Sequence, residues 1–280
     1  MIVAHFSDVH ALALDGVPAW QWASKRLAGY LNLRLNRREK HRVQLFEALV
    51  EDLNRNPADQ VIVTGDLTNL SLAPELALAR SILDRLALGP NNVTVVPGNH
   101  DVYTLDALWS RSFHKMFAPY FHSDDGGADF PVVRVRGELA IFGLSTAFPS
   151  PPPLADGWIG RAQLAALETA LGAHAGKFRV LALHHPPVKN RASILRGLRD
   201  RGALQRVLAR SGCELVIHGH EHRDLRVTME GPSGAIPVIG VGSGSYEDDR
   251  QERRARYNVY TVENGRLVNV QTRVHDRASG

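Results

Sequence analysis

The sequence predicts an α/β protein, a four-layer α/β/β/α sandwich in which two mixed β-sheets pack face to face between outer helices. Two observations support this prediction. Over the first hundred residues, short β-branched runs alternate with amphipathic segments, the pattern of parallel strands joined by crossover helices. Later apolar runs are separated by tight turns, which indicates additional antiparallel strands. We expect one domain spanning residues 1–280, an ordinary length for a single α/β core.

The first half of the chain supplies the parallel strands. Buried apolar runs predict them at residues 2–7, 61–63 and 93–96. Apolar residues at helical spacing predict helices at 43–53, 74–88 and 105–121. Pro74 lies near the start of the second helix, where proline is well tolerated. A loop rich in aspartate and glycine follows at 122–129.

The second half of the chain supplies the antiparallel strands. Alternating segments at 131–136 and 138–144 predict a hairpin whose second arm is the more buried. The segment 148–158 contains four prolines and should run irregularly over the surface. Asn264-Gly265 predicts a tight turn between the last two strands. The remaining helices are predicted at 161–173 and 201–210, and the remaining strands at 178–183, 215–217, 237–241, 257–262 and 267–274.

Composition and sequence patterning limit the class of protein. Hydrophobic residues at 44% and charged residues at 22% are typical of a soluble globular protein, and the net charge of +4 does not by itself indicate a nucleic-acid partner. The single cysteine, Cys213, excludes an intramolecular disulfide and a thiolate metal site, and favours a reducing compartment. The start of the chain does not resemble a signal peptide, and no apolar run reaches the ~20 residues that span a bilayer. We therefore expect a cytoplasmic location, with any membrane contact peripheral on the inner membrane face.

Aspartate, asparagine and histidine follow five of the predicted strands. Because the carboxyl ends of strands in α/β folds meet at one edge of the sheet, these side chains should converge on one site. Oxygen and nitrogen donors without cysteine suit two divalent ions, Mn²⁺ first, with Fe or Zn²⁺ as alternatives. A carboxylate that bridges two such ions builds the clamp used for in-line displacement at phosphorus. The motifs are Asp8-Val9-His10, Gly65-Asp66, Gly98-Asn99-His100-Asp101, His184-His185 and Gly219-His220-Glu221-His222.

In this order, the motifs resemble the signature of the calcineurin-like metallophosphoesterases over residues 8 to 222. The resemblance implies that Asp8, His10 and His222 hold the first metal. It implies that Asp66 bridges the two metals and that Asn99, His184 and His220 hold the second. It also implies that His100 contacts the scissile phosphate and protonates the leaving group, with Asp101 orienting it. The two-sheet sandwich is the fold of this family.

Residues around the motifs form a second group of candidates. His185 should line the pocket, and His184 is preferred as the ligand because His184-His185-Pro186 fits the family's register. Tyr103 follows a motif loop and is a candidate for substrate contact. Asn69, three residues after Asp66, is a candidate for substrate contact or for positioning a loop. The histidines outside the motifs are expected to be packing residues: His5, His41, His114, His122, His174, His218 and His275.

The stretch from Trp20 to Arg42 reads as a helical insertion in which aromatic residues and leucines mix with seven basic residues and one acid, Glu39. One interpretation is an insertion that packs its apolar side chains on the domain. The other is a membrane-surface element, because basic and aromatic side chains together favour anionic lipid interfaces. Binding of a nucleic-acid backbone is a weaker third interpretation.

The predicted activity is hydrolysis of phosphodiester or pyrophosphate bonds, with a hydroxide that bridges two metals attacking phosphorus in line. An intact His10 is similar to the diesterase branches of the family. The basic insertion is similar to the branch that hydrolyses UDP-diacylglucosamine in lipid A synthesis, so a nucleotide-diphosphate lipid is one expected substrate and a soluble phosphodiester the other. A metallonuclease is a further alternative. A non-catalytic scaffold is disfavoured because the sequence keeps every ligand position.

Overall fold

The first β-sheet contains the strands that precede the first three sequence motifs, those at Asp8, Asp66 and Asn99. The computed structural model describes residues 1–36, 40–127, 129–151, 153–189 and 193–275. The strands of this sheet are β1 (Ile2–Phe6), β2 (Gln60–Val63), β3 (Val93–Val95), β10 (Arg256–Glu263) and β11 (Arg266–Val274). Their order is β11-β10-β1-β2-β3. The pairs β1·β2 and β2·β3 are parallel, while β10 is antiparallel to both of its neighbours.

The second sheet is also mixed. Its strands are β4 (Val132–Arg136), β5 (Leu139–Gly143), β6 (Phe178–Leu183), β7 (Leu215–His218), β8 (Leu225–Gly231) and β9 (Gly234–Gly240). Their order is β4-β5-β6-β7-β9-β8. Strands β5, β6, β7 and β9 are parallel to one another, and an antiparallel strand lies at each edge.

Eight α-helices accompany the sheets in the part of the chain that the structure describes. They are α1 (Lys25–Asn36), α2 (Val43–Arg55), α3 (Ala73–Leu83), α4 (Leu105–Ser110), α5 (Ser112–Phe117), α6 (Arg161–Ala173), α7 (Ser193–Arg196) and α8 (Arg201–Ser211). One core joins α2, α3 and α5 to the first sheet, and another joins α6 and α8 to the second. A third core fills the space between the sheets, with Ile62, Ile141 and Ile217 among its members. The predicted four-layer sandwich is therefore confirmed.

Three elements differ from the sequence prediction. Strand β8 was not predicted, because most of its side chains are exposed at the sheet edge and leave no buried apolar run. The helix expected at 105–121 is divided into α4 and α5, because Arg111 takes a left-handed backbone with φ of 51°. Helix α3 ends at Leu83, earlier than expected. Residue periodicity encodes neither the solvent exposure of an edge strand nor the left-handed backbone at Arg111.

The insertion packs on the domain and also presents apolar surface. Trp22 and Tyr30 lie 5.1 Å apart, ring centre to ring centre, and pack against the cluster around Leu70 and Tyr103. Trp20, in contrast, is 65% exposed. Residues 37–39 of the predicted basic stretch lie outside the described residues, as does Pro152 of the proline-rich segment. Among the described helices, none has the length and apolar character needed to cross a membrane.

Glu75 in the first turn of α3 should make stability depend on pH. Its buried carboxylate accepts hydrogen bonds from the backbone N–H groups of Leu70 at 2.8 Å and Leu72 at 3.2 Å, yet burial raises its pKa from 4.5 to about 8. The folded chain then binds this proton more tightly than the unfolded chain, so stability is fullest below pH 4.5 and falls as pH rises through about 8.

We expect Glu75→Gln to remove this dependence. Between pH 5 and pH 9, the wild type should lose on the order of 3 kcal/mol of unfolding free energy relative to the variant, measured by urea denaturation. Substitution of the exposed Glu252 by glutamine is the matched control and should leave the wild-type profile unchanged. Parallel profiles for wild type and Glu75→Gln would contradict the prediction.

Candidate metal centre

The first cluster of donors joins the ends of β1 and β7. Asp8 and His10 follow β1, and His222 follows β7. His222 Nε2 lies 3.2 Å from Asp8 Oδ1 and 3.1 Å from His10 Nε2. His10 Nδ1 donates a hydrogen bond to the Thr68 carbonyl at 3.2 Å, which turns Nε2 toward the cluster. The three residues predicted to hold the first metal are therefore brought together.

The second cluster lies between the ends of β3, β6 and β7. His184 Nε2 lies 3.2 Å from Asn99 Oδ1 and 3.2 Å from His220 Nδ1. His184 Nδ1 donates to the carbonyl of Thr64 at 2.7 Å, which again leaves Nε2 for the cluster. The residues predicted to hold the second metal are also brought together.

Asp66, after β2, stands between the two clusters. Its Oδ2 lies 3.3 Å from His184 Nε2 in one cluster and 3.9 Å from His10 Nε2 in the other. Its Oδ1 accepts a hydrogen bond from the backbone N–H of His100 at 2.8 Å, which fixes the carboxylate plane. The Asp66 carboxylate therefore lies where it could contact an ion in each cluster.

The donor set fits divalent metal ions. Asp8 Oδ1 is buried and makes no hydrogen bond among the described residues, although an unsatisfied buried carboxylate oxygen is costly. Imidazole nitrogens lie 3.1 to 3.3 Å from one another and from a carboxylate oxygen, which is close enough for two such atoms to bind one ion at about 2.0–2.2 Å each. We conclude that these residues could hold two ions through nitrogen and oxygen ligands.

The pKa values of the cluster also favour a cation beside Asp66. Burial opposes its charged form, but His184 and His100 hold the pKa of Asp66 well below its usual range. Burial disfavours charge on His184 too, yet Asp66 raises the pKa of His184 to about 9. Burial lowers the pKa of His10 and His220 well below the ordinary value, which keeps both imidazoles in the neutral form that binds metal.

The backbone of five predicted ligands is left-handed. A non-glycine residue at positive φ costs roughly 1–2 kcal/mol, and such residues concentrate at functional sites. Aspartate and histidine are among the residue types that enter this region most readily. The five residues and their φ values are Asp8 at 58°, His10 at 44°, Asp66 at 53°, His220 at 73° and His222 at 51°.

Two motif glycines allow the ligand loops to approach each other. A Cβ added at Gly98 would lie 2.8 Å from the carboxyl carbon of Asp66. A Cβ added at Gly219 would lie 2.5 Å from Asp8 Oδ2 and would also collide with the Ser7 hydroxyl. Any other residue type would therefore displace a ligand carboxylate.

We expect Gly219→Ala to weaken metal binding by at least about tenfold, because the added methyl group displaces the Asp8 carboxylate. The same overpacking should lower the free energy of unfolding by roughly 1–3 kcal/mol. Isothermal titration with Mn²⁺ and thermal unfolding would measure both effects. Gly172→Ala is the matched control, since a Cβ at Gly172 in α6 has no neighbour within 4 Å. Equal metal affinity in the two variants would show that Gly219 is not needed for the approach.

His100 and its neighbours line the mouth of the centre. His100 Nδ1 donates to the Asn69 carbonyl at 2.6 Å, and the His100 ring stacks on Tyr103 with ring centres 5.4 Å apart. The Asn69 amide donates to the carbonyls of His10 and Ala11. Asn69 is thus buried and joins loops, which fits the positioning alternative rather than substrate contact.

Asp101 and His185 are buried next to the metal centre and do not line the cavity over it. The buried Asp101 carboxylate accepts hydrogen bonds from the backbone N–H groups of Gly98 and Thr68, both at 2.9 Å. The contact that orients the His100 ring therefore comes from the Asn69 carbonyl, and Asp101 acts through the loop backbone. His185 is fully buried. Its Nδ1 shares a hydrogen bond with the Thr146 hydroxyl at 2.8 Å, and its ring centre lies 4.4 Å from that of His220.

His41 is a site residue that sequence reasoning missed. It was expected to be a packing residue, but its ring centre lies 4.5 Å from that of His10 and 5.3 Å from that of His222. These three histidines form another group that could hold an ion. Its Nδ1 lies 3.0 Å from the Ser245 hydroxyl, whose hydrogen bond to the Val9 carbonyl ties β9's loop to the centre. No local motif marks His41, because tertiary pairing with Tyr246 positions it.

A cavity of about 370 Å³ opens over the two clusters. Helix α1 of the insertion forms part of its wall, and so do the segment 153–155 and helix α7. Tyr103, the candidate for substrate contact, lines the cavity, whereas His185, which was expected to line it, and Asn69 are not among its lining residues. The lining residues are Lys25, Ala28, Gly29, Asp66, Asn99, His100, Tyr103, Pro153, Leu154, Ala155, Arg196, His220 and His222.

A sandwich fold with one carboxylate placed between two histidine-rich clusters is an arrangement suited to a dinuclear metal-dependent hydrolase. The family model described as calcineurin-like phosphoesterase matches residues 1–224. The chain belongs to this family, whose members use two divalent metal ions, and it is a metal-dependent phosphohydrolase.

Two curated relatives are similar to most of the chain. A cAMP/cGMP dual specificity phosphodiesterase of Mycobacterium tuberculosis is 29% identical over 254 residues, which cover 89% of this chain and 69% of that protein. A glycerophosphodiester phosphodiesterase of Enterobacter lignolyticus is 25% identical over 67% of this chain and 58% of its own length. The chain thus spans less than two thirds of the second relative.

A solved structure shares the fold. A dimetal phosphatase from Danio rerio superposes with a TM-score of 0.66 over 98% of this chain and 99% of that chain, at 15% sequence identity. At this level of identity, the likeness concerns the fold alone. It agrees with the two mixed sheets flanked by helices described above.

Proposed function

We propose that this protein hydrolyses a small phosphodiester, with the cyclic nucleotides and glycerophosphodiesters as the first candidate substrates. The observation that carries the proposal is the position of Asp66 Oδ2 between His184 and His10, because two ions held about 4 Å apart form the clamp for displacement at phosphorus. The names of the two curated relatives support the diester class.

Two divalent ions would occupy the clusters, with Mn²⁺ the first candidate and Fe or Zn²⁺ the alternatives. When bound, they would polarise the phosphoryl oxygens and activate the attacking water at neutral pH. The first ion would be held by Asp8, His10 and His222, and the second by Asn99, His184 and His220. Asp66 would contact both.

His100 would act as the general acid that donates a proton to the leaving group. Because its Nδ1 donates to the Asn69 carbonyl, the remaining nitrogen, Nε2, is the atom that can meet a substrate oxygen. Stacking on Tyr103 at an interplanar angle of 7° holds the ring plane. A protonated Nε2 would donate to the leaving oxygen as the bond to phosphorus breaks.

The direct test is turnover of the Mn²⁺-loaded protein with bis(p-nitrophenyl) phosphate, cyclic AMP, glycerophosphocholine and p-nitrophenyl phosphate. We expect the diesters to react faster than the monoester, and reactions in ¹⁸O-labelled water to place the label in the phosphate product. Fe- and Zn-loaded protein would be assayed in parallel. Metal-loaded protein that hydrolyses none of these compounds with any of the three metals would overturn the proposal.

A second candidate is pyrophosphate cleavage in a nucleotide-diphosphate lipid such as UDP-diacylglucosamine. Its supporting observation is exposed apolar surface on the 3₁₀ turn Ala19–Trp22, on α1 and on the neighbouring α4, to which α1 is joined by the ion pair between Arg26 and Asp106. Such surface suits a lipid interface. The exposed side chains are Trp20 at 65%, Leu27 at 49%, Leu31 at 51%, Leu105 at 53%, Leu108 at 40% and Trp109 at 75%.

Phosphorus NMR would test the second candidate with UDP-diacylglucosamine in detergent micelles. Formation of UMP at a rate above that of the soluble diesters would favour the lipid substrate and assign α1 and α4 to lipid contact. Hydrolysis of the soluble diesters with no UMP formed from the lipid would exclude it.

A further inference from the structure

The cavity over the metal centre contains two cations that the proposed chemistry does not use. Lys25 of α1 and Arg196 of α7 line the same cavity as Asp66, Asn99 and His100. Among the described residues that line it, Asp66 is the sole acid, and its charge faces the two metal clusters. The cavity therefore offers positive charge outside the centre that holds the scissile phosphate.

The Lys25 ammonium is held at a defined position. Its Nζ donates to the Ser150 carbonyl at 2.6 Å and lies 4.2 Å from the centre of the Tyr103 ring. Tyr103 stacks on His100 with ring centres 5.4 Å apart, so the ammonium is no more than about 10 Å from the His100 ring. That is the reach of a nucleotide or sugar phosphate bound with one phosphorus at the metal centre.

The neighbouring Arg26 fixes this end of α1 to the centre. Its buried guanidinium donates to the carbonyls of Leu70 at 3.0 Å and Ser71 at 3.2 Å, and it pairs with Asp106 at 2.9 Å. Leu70 and Ser71 belong to the loop that follows Asp66. The position of Lys25 is thus coupled to the bridging carboxylate through a short stretch of backbone.

We propose that Lys25 and Arg196 form an anion subsite that selects phosphoesters whose non-reacting part carries a second negative charge. This inference rests on the proposed phosphodiesterase function and adds to it a class of substrate. The three N–H donors of a lysine ammonium and the planar fork of an arginine suit a phosphate or carboxylate. A half-buried ammonium is also less screened by water than one on the open surface, which strengthens its attraction for an anion.

The subsite distinguishes two substrate types that the metal centre alone treats alike. A cyclic nucleotide carries one negative charge, at the phosphorus that reacts, and offers nothing to Lys25 or Arg196. A diester or pyrophosphate with a further phosphate offers an additional ion pair in a partly enclosed cavity. Within the phosphodiester class proposed above, we therefore expect a substrate with this additional negative charge to react faster than a cyclic nucleotide or a glycerophosphodiester that lacks it.

The test uses two esters that differ only in the remote charge. These are the p-nitrophenyl ester of thymidine 5′-phosphate and the same ester with a phosphate on the 3′ hydroxyl. For the Mn²⁺-loaded wild type, we expect kcat/KM to be at least about tenfold higher for the 3′-phosphorylated ester. In Lys25→Gln and Arg196→Gln the ratio should fall several-fold, and in the double variant it should approach one.

Matched controls remove one charge elsewhere on the surface. Lys177 and Arg161 are not among the residues that line the cavity. Lys177→Gln and Arg161→Gln should therefore keep the wild-type ratio of kcat/KM for the two esters. Metal content by mass spectrometry confirms that each variant retains the centre. A wild-type ratio near one, or a ratio unchanged in the double variant, would overturn the subsite. Failure of the wild type to hydrolyse either ester would instead overturn the proposed function.

Discussion

Asp66→Ala should lose at least about 10³-fold in kcat/KM for any phosphodiester that the wild type hydrolyses. The Asp66 carboxylate lies between the two clusters, with His184 at 3.3 Å and His10 at 3.9 Å, so under the proposed assignment its removal would take one ligand from each ion. Loss of several kcal/mol of charge stabilisation in the transition state corresponds to this factor. Metal content after gel filtration and steady-state kinetics would measure both effects.

The matched control for this prediction is Asp15→Ala, which removes an exposed carboxylate outside the metal centre. It should retain both ions and wild-type turnover. Unchanged turnover in Asp66→Ala would refute the assignment of the bridge. Full occupancy of both metal sites in Asp66→Ala would refute it as well.

His100→Ala should lower kcat by about 10²- to 10⁴-fold while metal content stays at the wild-type level. The loss should be largest for esters with poor leaving groups. A p-nitrophenolate departs without a proton, whereas an alkoxide needs one. Rates for bis(p-nitrophenyl) phosphate and glycerophosphocholine, measured side by side, would therefore separate proton transfer from binding.

The exposed His122 supplies the control for that experiment, since His122→Ala changes the same residue type outside the centre. It should leave both rates unchanged. An equal loss for the two leaving groups in His100→Ala would assign His100 to phosphate binding alone. Loss of metal would make it a ligand and contradict its predicted role.

The convergence of the candidate ligands could be predicted from sequence because each motif follows a strand, and parallel strands bring their carboxyl ends together. Phe6 pairs with Val63 and Val63 with Val95, so Asp8, Asp66 and Asn99 emerge at one edge. The parallel register of β1, β2 and β3 thus brings together residues that are far apart in the sequence. For the same reason the fold class could be predicted before any contact was known.

The contacts around the ligands could not be predicted in the same way. His41 reaches the centre through pairing with Tyr246, and the orienting partner of His100 is a backbone carbonyl of Asn69. Lys25 belongs to the basic insertion, and none of the three interpretations of that insertion gave Lys25 itself a place in the wall of the cavity. Such partners come from tertiary packing of segments that are distant in sequence, and residue type alone carries no signal for them.

The left-handed backbone of the ligand loops limits how this centre can change during evolution or design. Asp8, His10, Asp66, His220 and His222 each have positive φ, a region that β-branched side chains avoid. A substitution there must satisfy the metal and the dihedral angles at once. Aspartate, asparagine and histidine meet both demands, whereas threonine brings an oxygen donor at a backbone cost. Exchange of one ligand type for another is thus confined to a small group of residues, even where the metal would accept more.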